Sequence, residues 1–204
     1  MERHPVAARR PGKRRVAAAA TAPRVQLHVE LRRVDPPVWR LFQVPESLTL
    51  AKLHAVLQIV MGWTNSHLHE FDIAGQRYGI PDDEGLDDLP MIDERRARLA
   101  QFISSGLKRF TYTYDFGDSW DHDVRVEQRL ARDPATPPII CLDGGNRCPP
   151  EDVGGSYGYA EFLKVLKDPR HEEHAETVTW AGRAFDPTTF AIDAVNRHLA
   201  KIKA

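Results

Sequence analysis

The segment YDFGDSWDHD, residues 114 to 123, places Asp115, Asp118, Asp121, Asp123 and His122 within ten positions. Carboxylates and imidazole at such density serve two chemistries: oxygen-and-nitrogen coordination of a divalent cation, and general acid–base transfer. Two other stretches offer similar groups. HLHEF carries His67 and His69, and CPPEDVGG carries Cys148, Glu151, Asp152, Gly154 and Gly155, with Cys141 seven residues before Cys148. The acid–base candidates are Asp118, His122, Glu151 and Asp152. The metal candidates are His69, His122, Cys141 and Cys148, two imidazoles and two thiols that match the tetrahedral donor set of zinc. The interval between the cysteines exceeds the two-to-four-residue knuckle of common zinc folds, so core packing is the competing reading for all four. Gly154 and Gly155, placed before a helix, form a candidate anion nest. They lack the Lys-Ser/Thr pair of a phosphate loop, and the competing reading is a sharp turn that needs glycine.

Register decides which of these groups can cooperate, because strand side chains alternate between faces. A three-residue loop, Gly117-Asp118-Ser119, pairs Phe116 with Trp120 and Tyr114 with His122 and keeps both faces uniform. That register sends His122 inward among aromatics. It sends Asp115, Asp121 and Asp123 to a solvated outer face and leaves Asp118 to bond local amides in the turn. In HLHEFDI the same alternation puts His69 on the face of Phe71 and Ile73, with His67 a lesser member near the strand end.

The elements that must hold these groups follow from periodicity. RVQLHVELRRV alternates Val25, Leu27, Val29 and Leu31 against polar neighbours, Asp35-Pro36-Pro37 interrupts it, and VWRLFQV resumes as a hairpin partner. Thr49 caps a helix whose apolar positions Leu50, Leu53, Val56, Leu57, Val60 and Met61 keep the helical period, and Gly62 ends it. GQRYG reads as a turn, PDDEGLDDLP as an acidic loop, 92 to 104 as a short helix, and 108 to 116 with 120 to 130 as strands. Residues 131 to 155 read as irregular. Ser156 caps a helix that stops before Pro169, and Asp186-Pro187 starts a last one. His171 and His174 are a surface pair. Hairpins rather than βαβ alternation predict an α+β domain, a mostly antiparallel sheet with several helices packed against it.

Charge separates this domain, 24 to 204, from its start. Residues 1 to 23 carry six Lys/Arg against one acid and few large apolar groups, which predicts a disordered basic arm. Such an arm is either solvated or a charge-based contact with nucleic-acid phosphates. The mostly alanine run VAAAATA is too weak a hydrophobic region for export. With two cysteines and no apolar run of the roughly 18 residues a span requires, the expectation is a cytoplasmic protein off the membrane.

Six segments, PPVWRLFQVP, TLAKLHAVLQIVMGW, HLHEFDI, YTYDFGDSWDHDVRVE, CLDGGNRCPPEDVGGSYGY and FDPTTF, resemble in this order the plasmid pRiA4b ORF-3-like family. The resemblance covers residues 24 to 200. It implies an α+β fold and an association with plasmids or insertion elements, and it carries no established activity. Many members have a further cysteine after PPED where this chain has Val153, which weighs against a cysteine metal site here. The function expected is an accessory binding or interaction module. The alternatives are a zinc-dependent hydrolase-like enzyme and a structural zinc domain built on the inward His and Cys residues.

Overall fold

A computed structural model describes residues 23–81, 90–182 and 185–203. Apart from Pro23 the basic arm lies outside the described residues, as does most of the acidic PDDEGLDDLP loop. Among these residues eight strands form one sheet: β1 (Arg24–Leu31), β2 (Trp39–Pro45), β3 (His69–Ile73), β4 (Gln76–Gly79), β5 (Ile92–Asp93), β6 (Arg109–Tyr114), β7 (Trp120–Leu130) and β8 (Ile140–Gly145). Their spatial order is β5-β4-β3-β6-β7-β1-β2-β8. All neighbours are antiparallel except β4 and β5. Among the described residues five helices accompany the sheet in this α+β architecture: α1 (Leu50–Met61), α2 (Leu99–Ser104), α3 (Gly155–Lys167), α4 (His174–Ala181) and α5 (Ile192–Leu199). Among the described residues no helix is long and apolar enough to cross a membrane.

The alternation in β1 has its expected result, since Val25, Leu27, Val29 and Leu31 are all buried. They share one core with Leu50, Leu53, Val56 and Leu57 of α1 and with Phe71, Tyr112, Tyr114 and Trp120. Removing these side chains from water is the main favourable contribution to folding. The Thr49 side chain accepts from the Lys52 amide, and Gly62 ends α1 with φ 93°, both as the sequence predicts.

Local chemistry moves several boundaries. GQRYG is a strand after its first residue, because Ala74 and Gly75 both take positive φ and make the tight turn themselves. The irregular segment contains β8, which pairs with β2 at the sheet edge. The helix expected over 92 to 104 begins only at Leu99, after β5. Gly154, not Ser156, caps α3. The Asp186 carboxylate bonds the Thr188 amide and hydroxyl in a turn, and the last helix starts later, at Ile192.

A candidate cation site where three loops meet

The opening stretch departs from the expected register by two residues. Tyr112 pairs with His122 and Tyr114 with Trp120, so a five-residue turn, 115–119, joins β6 to β7. Asp115 causes this. It leaves the strand at φ 58°, and its Oδ1 accepts from the amides of Gly117 (3.0 Å) and Asp118 (3.3 Å). Asp tolerates the left-handed region because its short polar side chain bonds the backbone locally. A shift of two preserves parity. His122 is therefore inward and fully buried, and Asp121 and Asp123 are outward, paired with Arg33 (2.9 Å) and Arg32 (2.5 Å). Asp115 is the exception to the expected outer face, being only 7 % exposed.

This turn meets two others. The Asp115 amide donates to Leu68 O at 2.9 Å, which ties it to the 62–68 loop that follows α1. Trp63 of that loop stacks on Tyr114 with centroids 4.9 Å apart and donates Nε1 to Pro149 O at 3.1 Å. Tyr114 donates its hydroxyl to Glu151 Oε1 at 2.5 Å, and Thr64 donates both its amide and its hydroxyl to Glu151 Oε2. Asp118 Oδ2 accepts from the Gly154 amide at 3.1 Å. Gly155, at φ 67°, approaches so closely that a Cβ there would lie 2.6 Å from Asp118 O.

At the meeting point His67 Nε2 lies 3.1 Å from Asp152 Oδ1 and 3.6 Å from Asp115 Oδ2. That nitrogen is buried, and among the described residues it makes no aligned hydrogen bond. Donor atoms of His67, Asp115 and Asp152 all lie within 4.8 Å of one another. Among the described residues this is the one such group of three or more. An imidazole nitrogen facing two carboxylates is the donor chemistry of a divalent cation site, and the residues present fit one.

The expected zinc ligands do not gather. His69 is buried and its Nε2 contacts Glu94 Oε2 at 2.8 Å. His122 Nδ1 meets Tyr112 O at 3.1 Å, and burial pushes this histidine down to about 4, so its neutral form prevails near pH 7. Cys141 Sγ faces the carbonyls of Leu41 and Asp143, and burial pushes its thiol up to about 11. Burial raises Cys148 as well. A cysteine binds zinc as its thiolate, a form that these surroundings oppose. Both thiols neighbour Arg40, a buried cation whose guanidinium donates to Val60 O, Trp39 O and Gly145 O, each at 2.7 Å.

The other candidates also have different positions from those expected. Asp118 bonds a distant amide, so the Gly154 N–H of the anion nest already serves an internal carboxylate. Burial alone would raise Glu151, but its bonds from Thr64 and Tyr114 hold it below its ordinary value as an anion. Asp152 is a member of the cluster, at φ 61°. Sequence reasoning missed His67 and Asp115 as partners. The signal for Asp115 was its place two residues before Gly117, where an Asp side chain captures turn amides. Also missed were His54 and Gln58, polar residues four apart on the apolar face of α1.

The fold and the junction define an α+β protein with one mostly antiparallel sheet whose loops collect acidic and imidazole groups. The chain belongs to the plasmid pRiA4b ORF-3-like family, which matches residues 23–194. It is 42 % identical over 182 residues to uncharacterized protein y4hQ of Sinorhizobium fredii, covering 88 % of this chain and 92 % of that one. It is also similar to the crystal structure of MM3350 from Methanosarcina mazei, described as a protein of unknown function. That likeness has a TM-score of 0.77 and 38 % identity, and covers 85 % of this chain and 98 % of the other.

Proposed function

We propose that this protein is a binding module whose ligand-holding centre is a divalent cation gripped by His67, Asp115 and Asp152. The observation that carries the reading is the convergence of one donor from each of three sequence-distant loops within 4.8 Å. Two carboxylates held this close repel one another unless positive charge lies between them. One nitrogen and carboxylate oxygens suit a borderline or hard ion such as Mn²⁺ or Zn²⁺, and not the thiolate chemistry first expected. Three protein donors leave coordination positions for water or for an oxygen atom of a bound partner. Glu151, already engaged on both oxygens by Thr64 and Tyr114, acts as a strut between loops, which favours binding over hydrolysis. An accessory role in plasmids or mobile elements rests on the family's name alone. A nucleic-acid contact through the basic arm would involve residues outside those described.

The test is calorimetric titration of untagged protein with MnCl₂ and ZnCl₂, alongside elemental analysis. The expected result is one equivalent of cation, lost in Asp152→Ala, whose side chain is 72 % exposed. Wild-type protein that binds neither ion at millimolar concentration would refute the reading, and so would unchanged binding in Asp152→Ala.

A further inference from the structure

Beneath the 62–68 loop lies a polar group that the proposed function leaves unused. Tyr112 is fully buried, and His54 and Gln58 are nearly so, on a helix face otherwise made of Leu50, Leu53, Val56 and Leu57. Polar side chains there are costly unless each finds a partner. They find one another. Gln58 Oε1 accepts the Asn65 amide at 2.9 Å, which leaves its Nε2 to donate to the Tyr112 hydroxyl oxygen at 3.0 Å. The Asn65 Oδ1 accepts only, so His54 Nε2, 2.6 Å away, must carry the proton. The His54 Nδ1 then carries a lone pair and accepts a hydrogen bond from the Tyr112 hydroxyl at 2.8 Å. Each residue donates once and accepts once: Gln58 to Tyr112, Tyr112 to His54, His54 to Asn65, and Asn65 back to Gln58.

We infer that His54 is the positioning residue of the cation site, closing a ring of four hydrogen bonds that fixes Asn65 and, two residues on, His67. The inference rests on the cation reading of the junction. Asn65 stands at φ 61°, a conformation that needs compensation in a residue with a side chain. The ring supplies it on one side, and the next amide, Ser66, donates to the Tyr114 hydroxyl at 2.9 Å on the other. The loop therefore arrives at His67 with Thr64, Asn65 and Ser66 each bonded to another element. Only a neutral His54 completes the ring, because a proton on Nδ1 would leave the buried Tyr112 hydroxyl hydrogen without its acceptor. The surroundings favour that form. The ring of His69, itself against Glu94, stacks on His54 with centroids 3.4 Å apart, and burial and this neighbour hold His54 down at about 4.

His54→Phe keeps a ring to stack on His69 and deletes both nitrogens, whereas His54→Gln restores a donor near the Nε2 position. In each, amide exchange of Asn65 and Ser66 is followed by NMR and Mn²⁺ affinity by calorimetry. In His54→Phe both amides should exchange about tenfold faster and Mn²⁺ should bind about tenfold more weakly, with partial recovery of both in His54→Gln. Asn65→Gly, an exposed position where the backbone conformation is retained, should show the same change at Ser66 without risk to the core. Wild-type exchange in His54→Phe and Asn65→Gly would overturn the inference, as would a His54→Gln no better than His54→Phe. Accelerated exchange in a protein whose wild type binds no Mn²⁺ would refute the cation reading and support the ring's hold on the loop.

Discussion

His67 and His69 come from one short segment, yet their surroundings are opposite. His69 begins β3, lies in the core, stacks on His54 and meets the buried Glu94 at 2.8 Å. His67 precedes the strand, is partly exposed, and faces two carboxylates with no aligned bond to either. One histidine has a buried carboxylate on its Nε2, and the other has donor chemistry left over. Satisfied polar groups in a core secure the fold, while unsatisfied ones at a loop junction are available to a ligand. Substitutions should therefore separate stability from binding between the two positions.

The largest separation is expected at Glu94. Its removal in Glu94→Ala leaves the buried His69 Nε2 without its hydrogen-bond partner, a loss that costs about 1–3 kcal/mol. Urea unfolding should show that loss in full. His67→Ala, by contrast, should change stability by less than about 0.5 kcal/mol, as for other partly exposed positions, and abolish cation binding. A His67→Ala protein as unstable as Glu94→Ala would mean that both histidines are structural.

Acid should act through the core side of the comparison. His54 and His122 fall from 6.5 to about 4 on folding, chiefly through burial. The folded state thus prefers their neutral forms, and their contribution is complete above pH 6.5 and lost as pH falls from there through 4. That drop corresponds to about 3 kcal/mol for each. His122→Leu removes one of the two groups, so the gap between its unfolding midpoint and that of wild type should change between pH 7.5 and 4.5. A constant gap would show that His122 does not titrate with folding.

The contrast also explains what was legible in the sequence. The sheet, α1 with both its caps, and the inward side of His122 follow from periodicity, which is local information. The cluster does not, because it depends on where three loops end relative to one another. Alternation assigns Asp115 to a strand face, but its carboxylate bonds two amides of its own turn and ends the strand early. The same effect lengthened the turn to five residues and displaced the pairing by two without changing faces. His69 looked like the better ligand because it is inward, and the Glu94 that satisfies it comes from 25 residues away. Gln58 and His54 interrupt the apolar face of α1, a visible signal, but their partner Asn65 lies in a loop that periodicity leaves blank.

Gly155 tests the junction itself. A Cβ at this position would meet Asp118 O at 2.6 Å on a backbone already at φ 67°. Gly155→Ala should cost about 2 kcal/mol by thermal or urea unfolding. Because Asp118 shares its turn with Asp115, cation affinity should fall as well, which a core substitution of equal cost away from the junction and the His54 ring should not cause. A destabilised Gly155→Ala with wild-type affinity would uncouple the α3 start from the site.

The smallest effect is expected at Asp123, the residue of the acidic stretch that most resembles Asp115 in sequence and least in environment. Its carboxylate pairs with Arg32 at 2.5 Å, with side chains 46 % and 39 % exposed respectively. The Arg32 hydrogen bond, more than its charge, holds Asp123 below the usual carboxylate range. Solvent and salt screen such a pair, so Asp123→Asn should cost less than about 1 kcal/mol, and less still at high ionic strength. It should leave Mn²⁺ binding unchanged, since Asp123 is on the face of the sheet opposite His122 and outside the cluster. Asp115→Asn retains the Oδ1 that accepts the turn amides and removes the charge that faces His67, so it should lose the cation with little loss of fold. Equal effects of the two substitutions on Mn²⁺ affinity would mean that the acidic stretch acts by bulk charge. A difference of tenfold or more would instead locate its chemistry in the one aspartate that turned inward.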